Sequence, residues 1–140
     1  MRKQTYTMIA AVVLLGCLAV SANAQCVQLT VEIPFQFTIV ETSLPAGQYE
    51  LTCRDNGRIL LIRSSHGTAN AFMLTVPVTG RSKEGARLVF HRYGSRYFFV
   101  QAWDGNTGLT LPTTRVERNA ALELAGIKPK PEAIALTAVR

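Results

Sequence analysis

Strict alternation of apolar and polar side chains over residues 27–39 limits the folds open to this chain more than any other feature. A period of two residues places successive side chains on opposite faces of an extended strand, with one face buried. Pro34 has no amide hydrogen for a ladder, so we expect a break or bulge there, or a position at a sheet edge. The apolar positions are Val27, Leu29, Val31, Ile33, Phe35, Phe37 and Ile39.

Two turn motifs predict how the next strands pair. Residues 44–47, with the sequence LPAG, place proline and glycine where a type I turn favours them. Asn56-Gly57 indicates a two-residue hairpin loop, because both positions of such a loop need positive φ. A further strand is expected over residues 68–78, with Phe72, Leu74 and Val76 on one face. The hairpin loop pairs Leu51 with Ile62, Cys53 with Leu60 and Glu50 with Arg63.

The segment LVFHRYGSRYFFV, residues 88–100, predicts a second hairpin with its tip at Gly94-Ser95. This tip pairs Tyr93 with Arg96, His91 with Phe98, Phe90 with Phe99 and Val89 with Val100. One predicted face carries Leu88, Phe90, Tyr97, Phe99 and Trp103, and the other carries Val89, His91, Tyr93, Phe98 and Val100. Because both faces are apolar, we expect a central hairpin with other elements packed on each side.

Near the end of the chain, the spacing of apolar residues changes from the two-residue period of a strand to that of a helix. Thr114 and Glu117 form a capping box, and Val116, Ala120, Ala121 and Leu124 recur at helical spacing. We predict a short amphipathic helix over residues 114–125 and a loosely ordered tail over residues 127–140. The fold is expected to be mainly β, an antiparallel β-sandwich or partly open barrel over residues 25–126 with this one C-terminal helix.

The first 24 residues have the pattern of an export signal. Arg2 and Lys3 precede an apolar run over residues 8–20, and Ala22 and Ala24 form a cleavage site. The run is shorter than the roughly 20 residues of a spanning helix, and no comparable run follows, so we expect no transmembrane segment in the mature chain. The predicted location is secreted or periplasmic. Residues 14–17 are also similar to a lipobox, which leaves a lipid anchor through Cys17 as the alternative.

Cleavage after Ala24 leaves a single mildly basic domain. The net charge falls from +6 to +4 because Arg2 and Lys3 are lost. The remaining basic residues are spread along the chain, which suits solubility or attraction to anionic envelope polymers. Cys26 and Cys53 are expected to form a disulfide in an oxidising compartment. In the alternating pattern, position 26 would face outward if the strand extended that far. This bridge therefore requires Cys26 to lie beyond the end of the strand.

A weak ligand-binding set is proposed within and beside the second hairpin: His91, Arg92, Tyr93, Tyr97 and Trp103. The tyrosines and the tryptophan can stack on sugars, although such rings more often fill a core. No serine, cysteine or carboxylate has a sequence signature that ties it to His91, so no catalytic residue is assigned. The histidines and cysteines lack zinc spacing, and no metal or cofactor is expected. The arginine and aromatic pattern fails the RNA-recognition consensus, and we expect no nucleic-acid partner.

The sequence contains four distinctive motifs: IPFxF at residues 33–37, LPAGxY at 44–49, LVFHRYG at 88–94 and LPxxRxER at 111–118. Together they resemble a group of small exported bacterial β-rich proteins with no established activity. The resemblance implies export and a β-rich fold, and it brings no catalytic residue, cofactor or ligand to this chain. The cysteine pair is not part of that pattern.

These features predict an exported, non-catalytic binding or structural module of the bacterial cell envelope with an unknown ligand. Its partner would be an envelope polymer or another protein. The main alternative is a small secreted hydrolase or carbohydrate-processing enzyme in which His91 works with a carboxylate such as Asp104. A third possibility is an envelope assembly subunit, which an unpaired sheet edge near residues 27–39 would support.

Overall fold

The structure, a computed structural model, describes residues 27–124 and 131–139 as eleven strands, one 3₁₀ turn at Asp55–Gly57 and one α-helix. The predicted signal peptide with its predicted cleavage site at Ala24 lies outside the described residues, as do Cys17 and Cys26. The helix, α1, spans Arg115–Leu124. The strands are β1 Gln28–Ile33, β2 Phe37–Ile39, β3 Thr42–Leu44, β4 Gly47–Arg54, β5 Ile59–Ser64, β6 Asn70–Leu74, β7 Val76–Thr79, β8 Ala86–Tyr93, β9 Arg96–Asp104, β10 Thr107–Thr110 and β11 Glu132–Thr137.

The strands form two sheets, and the expected mainly β fold is confirmed. The first sheet has the order β1-β4-β5-β6 and the second the order β11-β8-β9-β10-β7, with β2 and β3 attached to β9. The chain passes from one sheet to the other at Thr75, whose amide donates to Arg58 O at 2.8 Å and whose hydroxyl donates to Gly57 O at 2.6 Å. A two-bond bridge between Thr30 and Val139 joins the sheets at β1. The result is a β-sandwich or partly open barrel.

Aromatic rings interlock where the sheets face each other. Phe37 makes edge contacts with Tyr49 and Phe90 at centroid distances of 5.3 and 5.5 Å, and Phe90 packs against Phe99. Tyr49 is fully buried, and its hydroxyl donates to Pro45 O at 2.6 Å, which ties the LPAG turn to the core. Each large side chain buried in this way contributes roughly 1.5–3 kcal/mol to folding.

The register predicted for the first hairpin is confirmed. Leu51 pairs with Ile62, Cys53 with Leu60 and Glu50 with Arg63. The loop has four residues instead of two, since Arg54 pairs with Ile59 and positive φ extends from Asp55 to Gly57. A longer loop centred on the same point leaves the register unchanged. The predicted break at Pro34 is also confirmed, because β1 ends at Ile33.

The second hairpin follows its predicted register only near the tip. Tyr93 pairs with Arg96, His91 with Phe98 and Phe90 with Phe99, but Val89 pairs with Gln101, so the predicted partner Val100 is wrong. A bulge at Val100 inserts one extra residue in β9, and Val100 O accepts the Leu111 amide at 2.9 Å.

The bulge exchanges the faces of the residues that follow it. Ala102, and not Trp103, faces the core, where it is fully buried opposite Leu88. The prediction that Trp103 shares a face with Phe90 is therefore wrong. The physical reason is that both faces of this hairpin are apolar, so the hydrophobic pattern alone cannot detect a shift of one residue.

The predicted third strand divides into β6 and β7 around Thr75. Phe72 and Leu74 share the exposed face of β6 as expected, at 78% and 73%, whereas Val76, 59% exposed, follows in β7 and belongs to the second sheet. Met73 and Thr75 are the buried residues between them.

The prediction of a loosely ordered tail over residues 127–140 is wrong for Glu132–Thr137, which forms β11. This strand pairs antiparallel with β8, placing Ile134 beside Phe90 and Leu136 beside Leu88. Both side chains pack against the core. Their alternation is a strand signal, but it is short and follows two prolines, and its partner lies about 45 residues earlier in the chain. The predicted helix agrees with α1, and the Glu117 amide donates to Thr114 Oγ1 at 3.2 Å.

Replacing Leu136 with alanine should lower the free energy of unfolding by about 1–3 kcal/mol, because its half-buried side chain covers Leu88. The matched control is Val139→Ala, since Val139 lies near the same end and is 68% exposed. Urea denaturation of both variants measures the difference. Equal stability of Leu136→Ala and wild type would show that β11 does not hold to the sheet.

Candidate functional site

Helix α1 lies on the outer face of the second sheet and buries a glutamate there. Glu117 is in the first turn of the helix and is 4% exposed, and Ala120 one turn later is fully buried. At the other end, Leu124 approaches the hairpin tip, where a Cβ placed on Gly94 would lie 3.6 Å from the leucine Cδ1. Thr114 accepts the Glu117 amide as in a capping box, while the Glu117 carboxylate faces the sheet and does not bond back to the start of the helix.

Two side chains of β8 meet this glutamate. His91 Nδ1 lies 2.9 Å from Glu117 Oε1, and the Tyr93 hydroxyl donates to the same oxygen at 3.2 Å. Tyr93 also makes an edge contact with Phe98, at a centroid distance of 5.7 Å. We call His91, Tyr93 and Glu117 the helix clamp, because these contacts fasten α1 to β8.

Tyr93 acts in the helix clamp as a neutral donor. Burial, the negative charge of Glu117 and the hydrogen bond to it together raise the pKa of Tyr93 to about 12. The phenol therefore stays protonated at any physiological pH, which suits donation to a carboxylate and makes it a poor nucleophile.

The helix clamp resembles the orienting half of a catalytic arrangement. A carboxylate on Nδ1 fixes the imidazole, and Nε2 makes no hydrogen bond within residues 27–124 and 131–139. The His91 side chain is 34% exposed, so water can reach it. Its neighbours on β9 and β11 are Phe98 and Ala133, which supply neither a hydroxyl nor a thiol. The geometry offers an oriented base without a side-chain nucleophile.

Asp104, the carboxylate suggested for His91, lies elsewhere. It pairs with Ala86 on β8, five residues from His91 and so about 17 Å along the strand. Its Oδ1 accepts the amides of Asn106 and Thr107 at 2.9 and 2.8 Å, which closes the β9–β10 turn. The partnership of His91 with Asp104 is wrong, and the carboxylate beside His91 is Glu117.

Tyr97 and Arg92 lie on the opposite face of the hairpin from the helix clamp. The Tyr97 ring stacks on Phe35 with centroids 3.9 Å apart. Arg92 forms an ion pair with Glu132, and a hydrogen bond with Tyr97 together with the charge of Glu132 raises the pKa of Arg92. These side chains join β8, β9 and β11 at the edge of the core.

Trp103 is far from the other predicted ligand-binding residues. It pairs with Arg87, six residues from Tyr93 and so about 20 Å along β8. Its ring lies over Gly108, where an added Cβ would come within 2.6 Å of Trp103 Cζ3. Of the five predicted residues, the structure brings His91 and Tyr93 together and places Arg92, Tyr97 and Trp103 apart from them.

A second candidate surface, which the sequence did not single out as a site, covers the outer face of the first sheet. We call it the apolar face: Ile59, Leu61, Phe72 and Leu74. Cross-strand pairing places Ile59 beside Leu74 and Leu61 beside Phe72. In the sequence, apolar residues at the alternate positions 72, 74 and 76 predict a common side of a strand. They do not indicate whether that side is buried or exposed.

Arginines border the apolar face. Arg54 pairs with Ile59, Arg58 lies in the adjoining loop, and Arg63 follows Leu61 at the next outward position of β5. Arg54 and Arg63, with Glu50, Thr52 and Leu61, line a shallow depression of about 140 Å³. None of these three arginines forms an ion pair within the part of the chain that the structure describes.

Neither a metal site nor a spanning helix is present in the described ranges. No three histidine, cysteine, aspartate or glutamate side chains there group closely enough to hold a metal ion. The α-helix found in those ranges is too short and too polar to cross a membrane.

Comparison of the sequence with protein-family models, curated proteins and solved structures finds no match to any of them. The resemblance to small exported bacterial proteins therefore stays a prediction, and function has to be argued from the two surfaces themselves.

Replacing Glu117 with alanine should destabilise the protein by about 1–3 kcal/mol, because the polar groups of His91 and Tyr93 lose their shared acceptor. Glu123→Ala is the matched control on the same helix, since Glu123 is exposed and its ion pair with Arg96 is worth about 0–1 kcal/mol. Denaturant unfolding monitored by circular dichroism measures both. Equal effects of the two substitutions would contradict a stabilising role for the helix clamp.

Ionisation of Tyr93 should be visible as a late step in alkaline titration. Its pKa of about 12 in the folded state exceeds the ordinary value of 10.0, so its stabilising contribution is full below pH 10.0 and is lost as the pH rises through about 12. The ultraviolet absorbance of wild type minus that of Tyr93→Phe isolates this phenol. In Glu117→Gln the step should move to lower pH because the negative charge is gone. A step near pH 10.0 in wild type would refute the assignment.

Proposed function

We propose that the protein is an exported, non-catalytic binding module of the bacterial cell envelope and that it binds through the apolar face. The observation that carries this proposal is the exposure of Phe72 and Leu74 on one continuous segment. Phe72 and Leu74 form a contiguous apolar surface with their cross-strand neighbours Leu61 and Ile59. Such surfaces on folded proteins mark sites of interaction with a protein, a ligand or a membrane.

The contrast between the two sheets supports this assignment. Helix α1 covers the outer face of the second sheet, where Phe98 is 3% exposed. No element of the described chain covers the equivalent face of the first sheet, and its largest aromatic side chain, Phe72, is 78% exposed. The bare face is therefore the better candidate for contact with a partner.

Among the described residues, the neighbours of His91 include no serine or cysteine, which favours a non-catalytic role. Tyr93 supplies a hydroxyl on the same face, and its raised pKa keeps it neutral. The helix clamp is then explained by stability, since it satisfies polar groups between α1 and the sheet.

The small secreted hydrolase remains the second candidate because Glu117 orients His91 and leaves its ring partly exposed. In that function His91 would act as a general base on water. The assembly-subunit alternative has less support, because Thr30 at the centre of β1 already bonds to Val139 through both its amide and its carbonyl.

Backbone geometry supports the proposed disulfide of Cys26 and Cys53. The Cys53 amide donates to Val27 O at 3.0 Å, and Val27 directly follows Cys26 in the chain. Strand β1 begins at Gln28, two residues after Cys26 in the sequence. This pairing fits an oxidising compartment and hence export.

Expression of the full chain in a bacterial host, followed by cell fractionation and intact-mass measurement, tests the proposal. We expect a mature protein that starts at Gln25, lacks two hydrogens and sediments with isolated envelopes. A Phe72→Ser, Leu74→Ser variant should fold but fail to sediment. Leu122→Ser is the matched control, because Leu122 on α1 and Leu74 are both 73% exposed. Retention of an uncleaved chain in the cytoplasm, or unchanged sedimentation of the double variant, would refute the proposal.

A further inference from the structure

We infer that the apolar face and its bordering arginines form a docking surface for the surface of a lipid bilayer with anionic headgroups. This inference rests on the proposed function and names the partner of the apolar face. Side chains of Phe and Leu would enter the boundary between headgroups and acyl chains, while guanidinium groups contact the phosphates.

The register of the first sheet gives this surface its shape. One cross-strand row contains Arg54, Ile59 and Leu74, and the next outward row contains Thr52, Leu61 and Phe72. Phe72 and Leu74, two residues apart on β6, extend the apolar face by about 7 Å along the strand. The depression beside Arg54 and Arg63 on this face is shallow. A broad face with a shallow depression fits a planar partner better than an inserted peptide.

The pairing state of the arginines distinguishes the two sheets. On the second sheet Arg87, Arg92 and Arg96 each pair with a glutamate. Beside the apolar face, Arg54, Arg58 and Arg63 have no such partner in the described ranges, although Glu50 and Asp55 lie on neighbouring positions. Unpaired guanidinium groups next to exposed apolar side chains complement a partner in which phosphate lies beside hydrocarbon.

The same charges argue against a second copy as the occupant. A two-fold dimer through this face would bring identical patches together, with three unpaired arginines from each copy at one interface. Like charges at an interface oppose association. An anionic bilayer instead attracts all of them.

The position of the chain's N-terminal segment agrees with this orientation. Val27 lies opposite Cys53, at the end of the sheet where Arg54, Ile59 and Leu74 form a row. In the alternative in which Cys17 is lipidated, the lipid is joined to the domain at this end and would hold the apolar face close to a membrane.

Flotation of the purified mature protein with vesicles tests the inference. We expect binding to phosphatidylcholine vesicles that contain phosphatidylglycerol and much weaker binding to phosphatidylcholine alone. Arg54→Gln and Arg63→Gln should each weaken binding about five-fold, and added salt should weaken binding by wild type. Phe72→Ser with Leu74→Ser should reduce binding by roughly ten-fold or more, since apolar insertion is lost.

Two controls on α1 match these substitutions. Leu122→Ser removes an equally exposed leucine, and Arg118→Gln removes an exposed, unpaired arginine on the covered side of the molecule. Both variants should bind vesicles nearly as wild type does. Circular dichroism and thermal melts confirm that every variant is folded.

Equal losses of vesicle binding in the control and test variants would overturn the inference, because binding would then not depend on the apolar face and its arginines. Absence of vesicle binding would also overturn it. If envelopes still bind wild type but not the Phe72, Leu74 variant, the proposed function stands and the partner is a protein or polymer. If sedimentation velocity shows a dimer that this variant dissociates, without vesicle binding, the apolar face is a self-association surface.

Discussion

The rest of the structure depends on burying both faces of the β8–β9 hairpin. On the inner face Phe90 and Phe99 pack with Phe37, which joins the two sheets into one core. On the outer face Phe98 is buried beside Tyr93, whose hydroxyl lies close to α1. Because the hydroxyl would otherwise lack a partner in a largely apolar setting, the covering helix has to supply an acceptor as well as apolar contact. Glu117 supplies it.

The sequence predicts local structure well where turn chemistry and the hydrophobic pattern agree. The β4–β5 register follows from Asn56-Gly57, because the register set by this turn also places the buried residues Leu51 and Cys53 opposite the buried residues Ile62 and Leu60. The β8–β9 register fails at Val100, where both faces are apolar and a slip leaves the pattern intact. Strand β11 is missed because its stability comes from pairing with a distant strand, which a six-residue alternation does not reveal.

The candidate site is less predictable, because each of its parts is set by contacts between distant segments. His91 stands out in the sequence, but its partner Glu117 lies 26 residues away and is presented by the docked helix. The capping box identifies Glu117 as a helix-start residue without indicating that it is buried. For Phe72 and Leu74 the alternation shows a common face, and Met73 between them is also apolar. The hydrogen bonds of Thr75 to Gly57 and Arg58 help to turn Met73 inward and leave Phe72 and Leu74 outward.

These constraints separate the structural surface of the molecule from its candidate binding surface. The outer face of the second sheet is occupied by a helix, the Glu117 of that helix is engaged by two side chains, and Arg87 and Arg96 are each paired with a glutamate. Contact with a partner there would have to displace interactions that already stabilise the fold. Among the described residues, the outer face of the first sheet has no comparable cover, so the proposed binding there would displace no interaction that the structure shows. Binding through the first sheet would therefore require less reorganisation than binding through the residues that first drew attention in the sequence.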